Sequence, residues 1–283
     1  MAESKPSVKP ATAVQVKKSG NAISYLAPII CIIVGYLIWR LVLGSPSGFE
    51  KVKEPGWFWP TYEGPKSALN KMYLGGIIVP ILIGCLLTVI TFCIERLLTI
   101  SKASGTSSNA DFIRKVQYHL ANINIDAAIA ECDKQKGSVG NVMKSGLHKY
   151  KDMISNTELS TDQKVMAIQK EVEEATSLEL PMLEKNLVFL STIASVATLL
   201  GLLGTVLGMI RSFSKLGDQG GGDAARELSV GISEALYNTA LGIGTSALSI
   251  IMYNIFTTKI DGITYGIDES GFTLTQSFAS LYK

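Results

Sequence analysis

The segment LSVGISEALYNTALGIGTSALSIIMYN, running from Leu228 to Asn254, is apolar for long enough to cross a bilayer and carries one carboxylate, Glu234, inside that run. About 20 residues of helix cover the roughly 30 Å of hydrocarbon. An ionisable group placed there costs several kcal/mol unless it faces protein, water or a partner charge, so its presence points to function rather than packing. At about 100° per residue, Thr245 lies about 20° round the helix from Glu234 and Asn238 about 40°, with Gly231 and Ser249 on the same side. Thr239, about 140° away, borders the same broad face of polar and small residues. A helix that faced lipid all round would not carry it.

The preceding span, residues 187–213, has a pattern of its own. Ser191, Thr198, Thr205 and Ser212 recur every seven residues and so stay on one slowly drifting face. Gly201, Gly204 and Gly208 occupy an adjoining face, the last two in the GxxxG spacing that lets another helix approach closely. Gly231 and Gly242 are the matching small residues of the next span. Each hydroxyl taken singly reads as glue, bonding its own preceding carbonyl; four in register favour a lined pathway or a subunit seam, which Glu234 is expected to confront. The Gly-rich connector, residues 214–227, is too short for a domain, so the two spans should form an antiparallel hairpin.

Working outward, residues 1–21 are polar and lysine-rich with two prolines, the composition of a disordered tail. Residues 22–43 form a first span and 72–100 another, the latter with a Gly75–Gly76 pair and Pro80 that a membrane helix tolerates; Glu95 and Arg96 mark its exit into water. The loop between them, residues 44–71, is rich in turn signals and aromatics. Trp57, Phe58, Trp59 and Tyr62 suit either an interfacial belt or a small cluster that packs the loop on itself. No run in residues 101–186 could span a membrane; amphipathic stripes at Asp111 to His119, Asp126 to Cys132 and Asn141 to Met153 predict helical hairpins, with a break at Gly137. From Ser160 the helical pattern runs directly into the third span, with Pro181 as the expected kink. After the fourth span, residues 228–257, a polar tail of residues 258–283 should continue as an interrupted helix.

The fold class is therefore an all-α integral membrane protein with four spans whose helices extend into a helical domain. A net charge of +2, with no basic stripe, argues against nucleic acid. The four cysteines show no metal or redox spacing, and His119 and His148 stand alone on amphipathic helices. With no phosphate loop, nucleophile elbow or zinc motif, the expectation is a protein that is not an enzyme and needs no cofactor or metal. Lysine and arginine counts leave the topology open.

GLLGTVLGMIRSF, Gly201 to Phe213, and LSVGISEALYNTALGIG followed by MYN resemble the two pore-helix signatures of the MotA/TolQ/ExbB proton-channel family, and those of its ExbB branch most. IERL, Ile94 to Leu97, resembles the family's usual ending of the span before them. The resemblance implies that Glu234 is the family's membrane-embedded glutamate and that Thr205 and Thr239 are its pore-facing threonines. It further implies a ring-forming stator subunit: several copies, usually five, surround the membrane helices of an ExbD dimer whose aspartate takes part in proton passage. Such a complex uses proton-motive force to act on TonB. The same resemblance implies the bacterial inner membrane, with residues 101–186 and both termini in the cytoplasm and residues 44–71 and 214–227 in the periplasm. The span at 22–43 is extra for this branch, and the proline the family carries late in its last span is replaced within Thr245 to Ser249. A TolQ-like role in the Tol system is the neighbouring alternative.

Two classes of function remain at this point. In a proton-driven stator, Glu234, Thr198, Thr205, Thr239, Asn238 and Thr245 serve the pathway, Glu234 either carrying the proton or tuning a partner's carboxylate. In an assembly scaffold, Glu234 is a structural partner to a neighbouring group.

Overall fold

The computed structural model describes residues 21–54, 56, 58–218 and 223–282. The expectations for residues 1–20, for Trp57 and for the centre of the Gly-rich connector lie outside them. Nine helices and one small hairpin make up the described residues. Four helices, within Ser24–Leu43, Ile78–Ala103, Thr161–Ser214 and Leu228–Leu281, are long and apolar enough to cross a membrane.

Helix α1, Asn21–Ile38, widens into a π turn at Trp39–Leu43. It packs on α3, Ile78–Ala103, where two glycines meet: a Cβ at Gly35 would stand 2.7 Å from the Gly84 nitrogen, and one at Gly84 2.7 Å from the Ile32 Cα. The chain then forms strands β1, Phe49–Glu54, and β2, Thr61–Pro65, an antiparallel pair with a bulge between Val52 and Glu54. This hairpin is absent from the all-α expectation, because the Pro and Gly punctuation around it reads as loop. Tyr62 belongs to a buried aromatic cluster: Phe49 stacks on Tyr62 at 4.5 Å and Trp39 on Tyr73 at 4.3 Å, with all four side chains buried. The Trp39 indole donates to the Tyr73 carbonyl, and the Tyr73 hydroxyl to that of Pro60. Of the described loop aromatics, Phe58 and Trp59 are exposed.

The second span does not begin at Met72. Helix α2, Ala68–Leu74, stops at the glycine pair, since Gly76 has φ +84°, a conformation that side chains with a Cβ rarely adopt, and α3 starts afresh at Ile78. Helices α4, Asn109–Ala121, α5, Ile125–Gln135, and α6, Gly137–Ser155, build the bundle, with Gly137 at φ +70° making the α5–α6 corner. Ser160 and Gln163 close a reciprocal capping box on α7, Thr161–Glu184. Pro181 sits inside α7; the break comes instead at Lys185 and Asn186, where Asn186 has φ +68°, before α8, Leu187–Asp218.

Helix α9, Asp223–Leu281, runs without interruption. The polar tail is therefore its last turns. Lys259, Asp261, Asp268 and Glu269 face outward while Ile260, Ile263, Ile267, Leu274 and Phe278 are buried against α4, α6 and α7. Period-3.6 burial explains why a segment polar on average is still a core helix.

Candidate functional site

The site grows from the α8–α9 hairpin, the most extensive helix pair in the protein. Small residues set its spacing. A Cβ at Gly204 would stand 2.6 Å from the Asn238 Cβ, one at Gly208 2.6 Å from the Ala235 Cβ, and one at Gly242 2.5 Å from the Ala197 carbonyl oxygen. Gly201 meets the α9 backbone at Asn238, Thr239 and Gly242, and Gly231 abuts the Ser212 hydroxyl. Three α9 hydroxyls then stitch the pair: Thr239 donates to the Gly201 carbonyl at 3.0 Å, Ser249 to that of Leu190 at 2.7 Å, and Ser246 to that of Ala194. Close backbone approach and hydroxyl bonds replace the hydrophobic effect that is missing between helices in lipid.

Asn238 and Thr245 are interior residues, each 1% exposed. Asn238 Nδ2 donates to the Gly75 carbonyl at 3.0 Å, tying α9 to the turn before α3, and Thr245 donates to Leu241 of its own helix. The hydroxyl seam of α8 behaves differently from expectation. Thr198, Thr205 and Ser212 bond carbonyls of their own helix, at Ala194, Leu202 and Gly208, and Ser191 is exposed. Within α8 the glycines, with Ser212, face α9; Thr198 and Thr205 lie on the rim of that contact, half-buried.

Thr205 lies about 40° from Gly201 and Thr239 about 60° from Gly242, and the antiparallel arrangement turns both to one side of the hairpin. Asn238 and Glu234 turn to the other, toward the Gly75–Gly76 corner. Of the seam, Glu234 thus shares a space with Ser212 alone, while Thr198 and Thr205 turn away with Thr239, about 140° of helix from it. The structure brings Thr198, Thr205 and Thr239 together on one face and Glu234, Asn238 and Thr245 on the opposite one.

On its own side Glu234 is half-buried and lines a cavity of about 600 Å³. Gly208, Arg211, Ser212, Val230 and Asn238 continue that wall, and Trp59, Thr61, Tyr62 and Glu63 close the opposite one. Arg211 reaches toward the α2–α3 corner, where a Cβ at Gly76 would stand 2.7 Å from its Nη1. Sequence reading missed Arg211 and Gly76. The arginine ends an apolar run and passes for a span end, while the glycine pair passes for ordinary membrane-helix sequence.

A second polar centre replaces the expected exit into water at Glu95 and Arg96. Arg96 is 2% exposed; its Nη1 donates to the Met182 and Leu183 carbonyls at 3.1 and 3.0 Å, and its Nε and Nη2 pair with the Glu95 carboxylate. Glu95 also accepts from Asn186 and Thr99. The span before the α8–α9 hairpin is thereby clamped to the α7–α8 break. Among the described residues no three His, Cys, Asp or Glu side chains gather as a metal ion would require.

Residues 134–269, from the end of α5 through most of α9, match the model of the MotA/TolQ/ExbB proton channel family. The biopolymer transport protein ExbB of Helicobacter pylori is 46% identical over 79 residues, 28% of this chain and 54% of that protein. An ExbB-like biopolymer transport protein of Synechocystis sp. is 42% identical over 87 residues, 30% of this chain and 41% of its own. The Tol-Pal system protein TolQ of Haemophilus influenzae is 36% identical over 100 residues, 34% of this chain and 43% of its own. The chain spans about half the length of the curated relatives it matches. Helix α1, the β-hairpin, α2 and α3 all lie ahead of the family match. Four apolar helices and this kinship mark a multi-pass protein of the bacterial inner membrane. Over residues 134–269, just under half of its length, the chain matches the MotA/TolQ/ExbB proton channel family, with ExbB proteins among its relatives.

Proposed function

We propose that this protein is the stator subunit of a proton-driven inner-membrane motor of the ExbB–ExbD type, which energises a TonB-like protein. Copies of the chain, five in the ring the resemblance implies, surround an ExbD-like dimer, with residues 101–186 and both termini in the cytoplasm. The observation that carries the reading is Glu234: a carboxylate within a membrane-spanning helix, opening on a polar cavity while Thr198, Thr205 and Thr239 share the opposite face. An acid at that depth has a use in handling protons or in shaping the field around a partner's carboxylate. One proton descending 100 mV releases about 2.3 kcal/mol, so a large mechanical step takes several. TolQ-like service in the Tol system is the second reading, favoured by the Haemophilus influenzae likeness.

The test is proton flux into vesicles that hold the full chain with its ExbD-like partner. Glu234→Ala, Glu234→Gln and Thr239→Val are each expected to abolish flux and energy-dependent uptake while assembly persists. Normal flux in all three would sink the reading, and a tolerated Glu234→Gln alone would favour the scaffold. Mass measurement of the complex purified from native membranes separates TonB from Tol partners and counts the copies.

A further inference from the structure

The cavity beside Glu234 joins two parts of different standing. One wall, from Gly208 to Asn238, is the family's own helix hairpin; the other, from Trp39 through the β-hairpin to Gly76, lies ahead of the family match. We infer that the added N-terminal segment turns the Glu234 side of the hairpin into a water-filled vestibule, through which protons reach Glu234 from the membrane face that bears the β-hairpin. This rests on the proton-handling role proposed above.

Three observations carry it. Glu234 is six residues from Leu228, about 9 Å of helix rise, whereas Asn254 at the other end of the apolar run is about 30 Å away. Access from the β-hairpin side is the short route, and the cavity lies along it. Its volume of about 600 Å³ has room for on the order of 20 water molecules at their liquid volume, and its lining is polar enough to hold them. The charges that line it are balanced, Lys53 paired with Glu63 at 3.0 Å and Arg211 set on the same wall as Glu234, so the cavity offers no net charge for an ionic ligand to read. A hydrated proton passing to a Glu234 carboxylate oxygen leaves only water behind. Gly76 makes room for the Arg211 guanidinium on this wall: its φ of +84° and the Nη1 2.7 Å from its missing Cβ leave no place for a side chain. The Thr198, Thr205 and Thr239 face lies on the far side of the same helix pair, so the acid and the hydroxyls are served from separate spaces.

Side-resolved thiol labelling tests this. Glu234→Cys, and Ser212→Cys as a second position on the cavity wall, are treated in spheroplasts and in inside-out vesicles with a membrane-impermeant cationic thiosulfonate. Peptide mass spectrometry reads each position itself, so the native cysteines stay in place. Val52→Cys on β1 and Met166→Cys on α7, both exposed, report the two faces. The expected result is modification of both cavity positions only in the preparation that labels Val52→Cys, slowed at least tenfold when Val230→Trp fills the mouth. Absence of labelling in correctly assembled protein, labelling in the preparation that marks Met166→Cys, or indifference to Val230→Trp would each overturn the vestibule. The readout is access and not flux: failed labelling, with flux intact in the unsubstituted protein, removes the vestibule alone, while loss of the stator reading in the flux assay leaves the labelling pattern unchanged.

Discussion

The guanidinium of Arg96 donates to the main-chain carbonyl of Leu183 at 3.0 Å, joining the end of one span to the joint between α7 and α8. Arg96 also serves the neighbouring carbonyl and neutralises Glu95, so one side chain satisfies the frayed end of α7 where Asn186 takes its positive φ. Glu95 is half-exposed and keeps its solvent when Arg96 goes, but the Met182 and Leu183 carbonyls lose their donor, at a cost of about 1–3 kcal/mol. Arg96→Met is therefore expected to lower the melting temperature of the detergent-solubilised protein sharply. Arg96→Lys should rescue little, because a point charge cannot reproduce the fork that reaches two carbonyls and a carboxylate. Full rescue by lysine in a size-exclusion thermal assay would show that charge alone matters.

Gly242→Ala places a methyl 2.5 Å from the Ala197 carbonyl and 2.9 Å from the Gly201 Cα, both backbone atoms that cannot turn aside. Overpacking of this kind costs about 1–3 kcal/mol. Gly262, on the same helix, has nothing within 4 Å of its missing Cβ, and Gly262→Ala should instead stabilise by about 0.4–1 kcal/mol through the unfolded chain. Thermal unfolding of the two variants should move in opposite directions; equal shifts would mean that helix propensity and not contact decides at Gly242.

Ser249→Ala removes the hydroxyl that bonds the Leu190 carbonyl, and Asn238→Asp sets an acceptor against the Gly75 carbonyl in place of a donor. An interhelical bond in a membrane is worth about 0.6 kcal/mol, so the serine variant should be mild. A buried acceptor without its donor costs about 1–3 kcal/mol, so the aspartate variant should be the less stable of the two. Side-by-side melting curves check the order.

Burial in the bundle pushes the Cys132 thiol up to about 12, with the neighbouring Asp133 carboxylate adding to the shift. Since burial disfavours the thiolate, essentially no nucleophile exists at pH 8, and raising the pH to 9 changes little. Maleimide should leave Cys132 unmodified in the folded protein and modify it once denatured. Rapid modification in the native state would contradict the packing of α5.

Helix periodicity made most of the architecture readable in advance, because each span and each bundle helix carries its burial pattern in its own residues. The glycines at 201, 204, 208, 231 and 242 were legible for the same reason: contact faces repeat with the helix. What could not be read was which side of the hairpin each polar group serves. Glu234 and Thr239 are five residues apart, and only the position of the β-hairpin and the Gly75–Gly76 corner tells that they face different spaces. Arg96 was misread because an arginine after an apolar run looks the same whether it meets water or a helix end that arrives 86 residues later. The β-hairpin was hidden by non-local pairing, Lys51 with Glu63 and Val52 with Tyr62, that no single stretch displays.

Helix α9 holds Glu234 near one end and Phe278 near the other, with no break between. At 1.5 Å per residue those 44 positions make a lever arm of about 66 Å. Phe278 is locked among Tyr150 and Tyr282, and Thr161 fastens the Tyr282 carbonyl. A tilt of about 5° about that anchored end would carry the carboxylate roughly 6 Å sideways, more than the length of a hydrogen bond. The bundle is in this sense the pivot of the acid: whatever pushes on α4, α6 or α7 swings the far end of α9 and with it the Glu234 carboxylate.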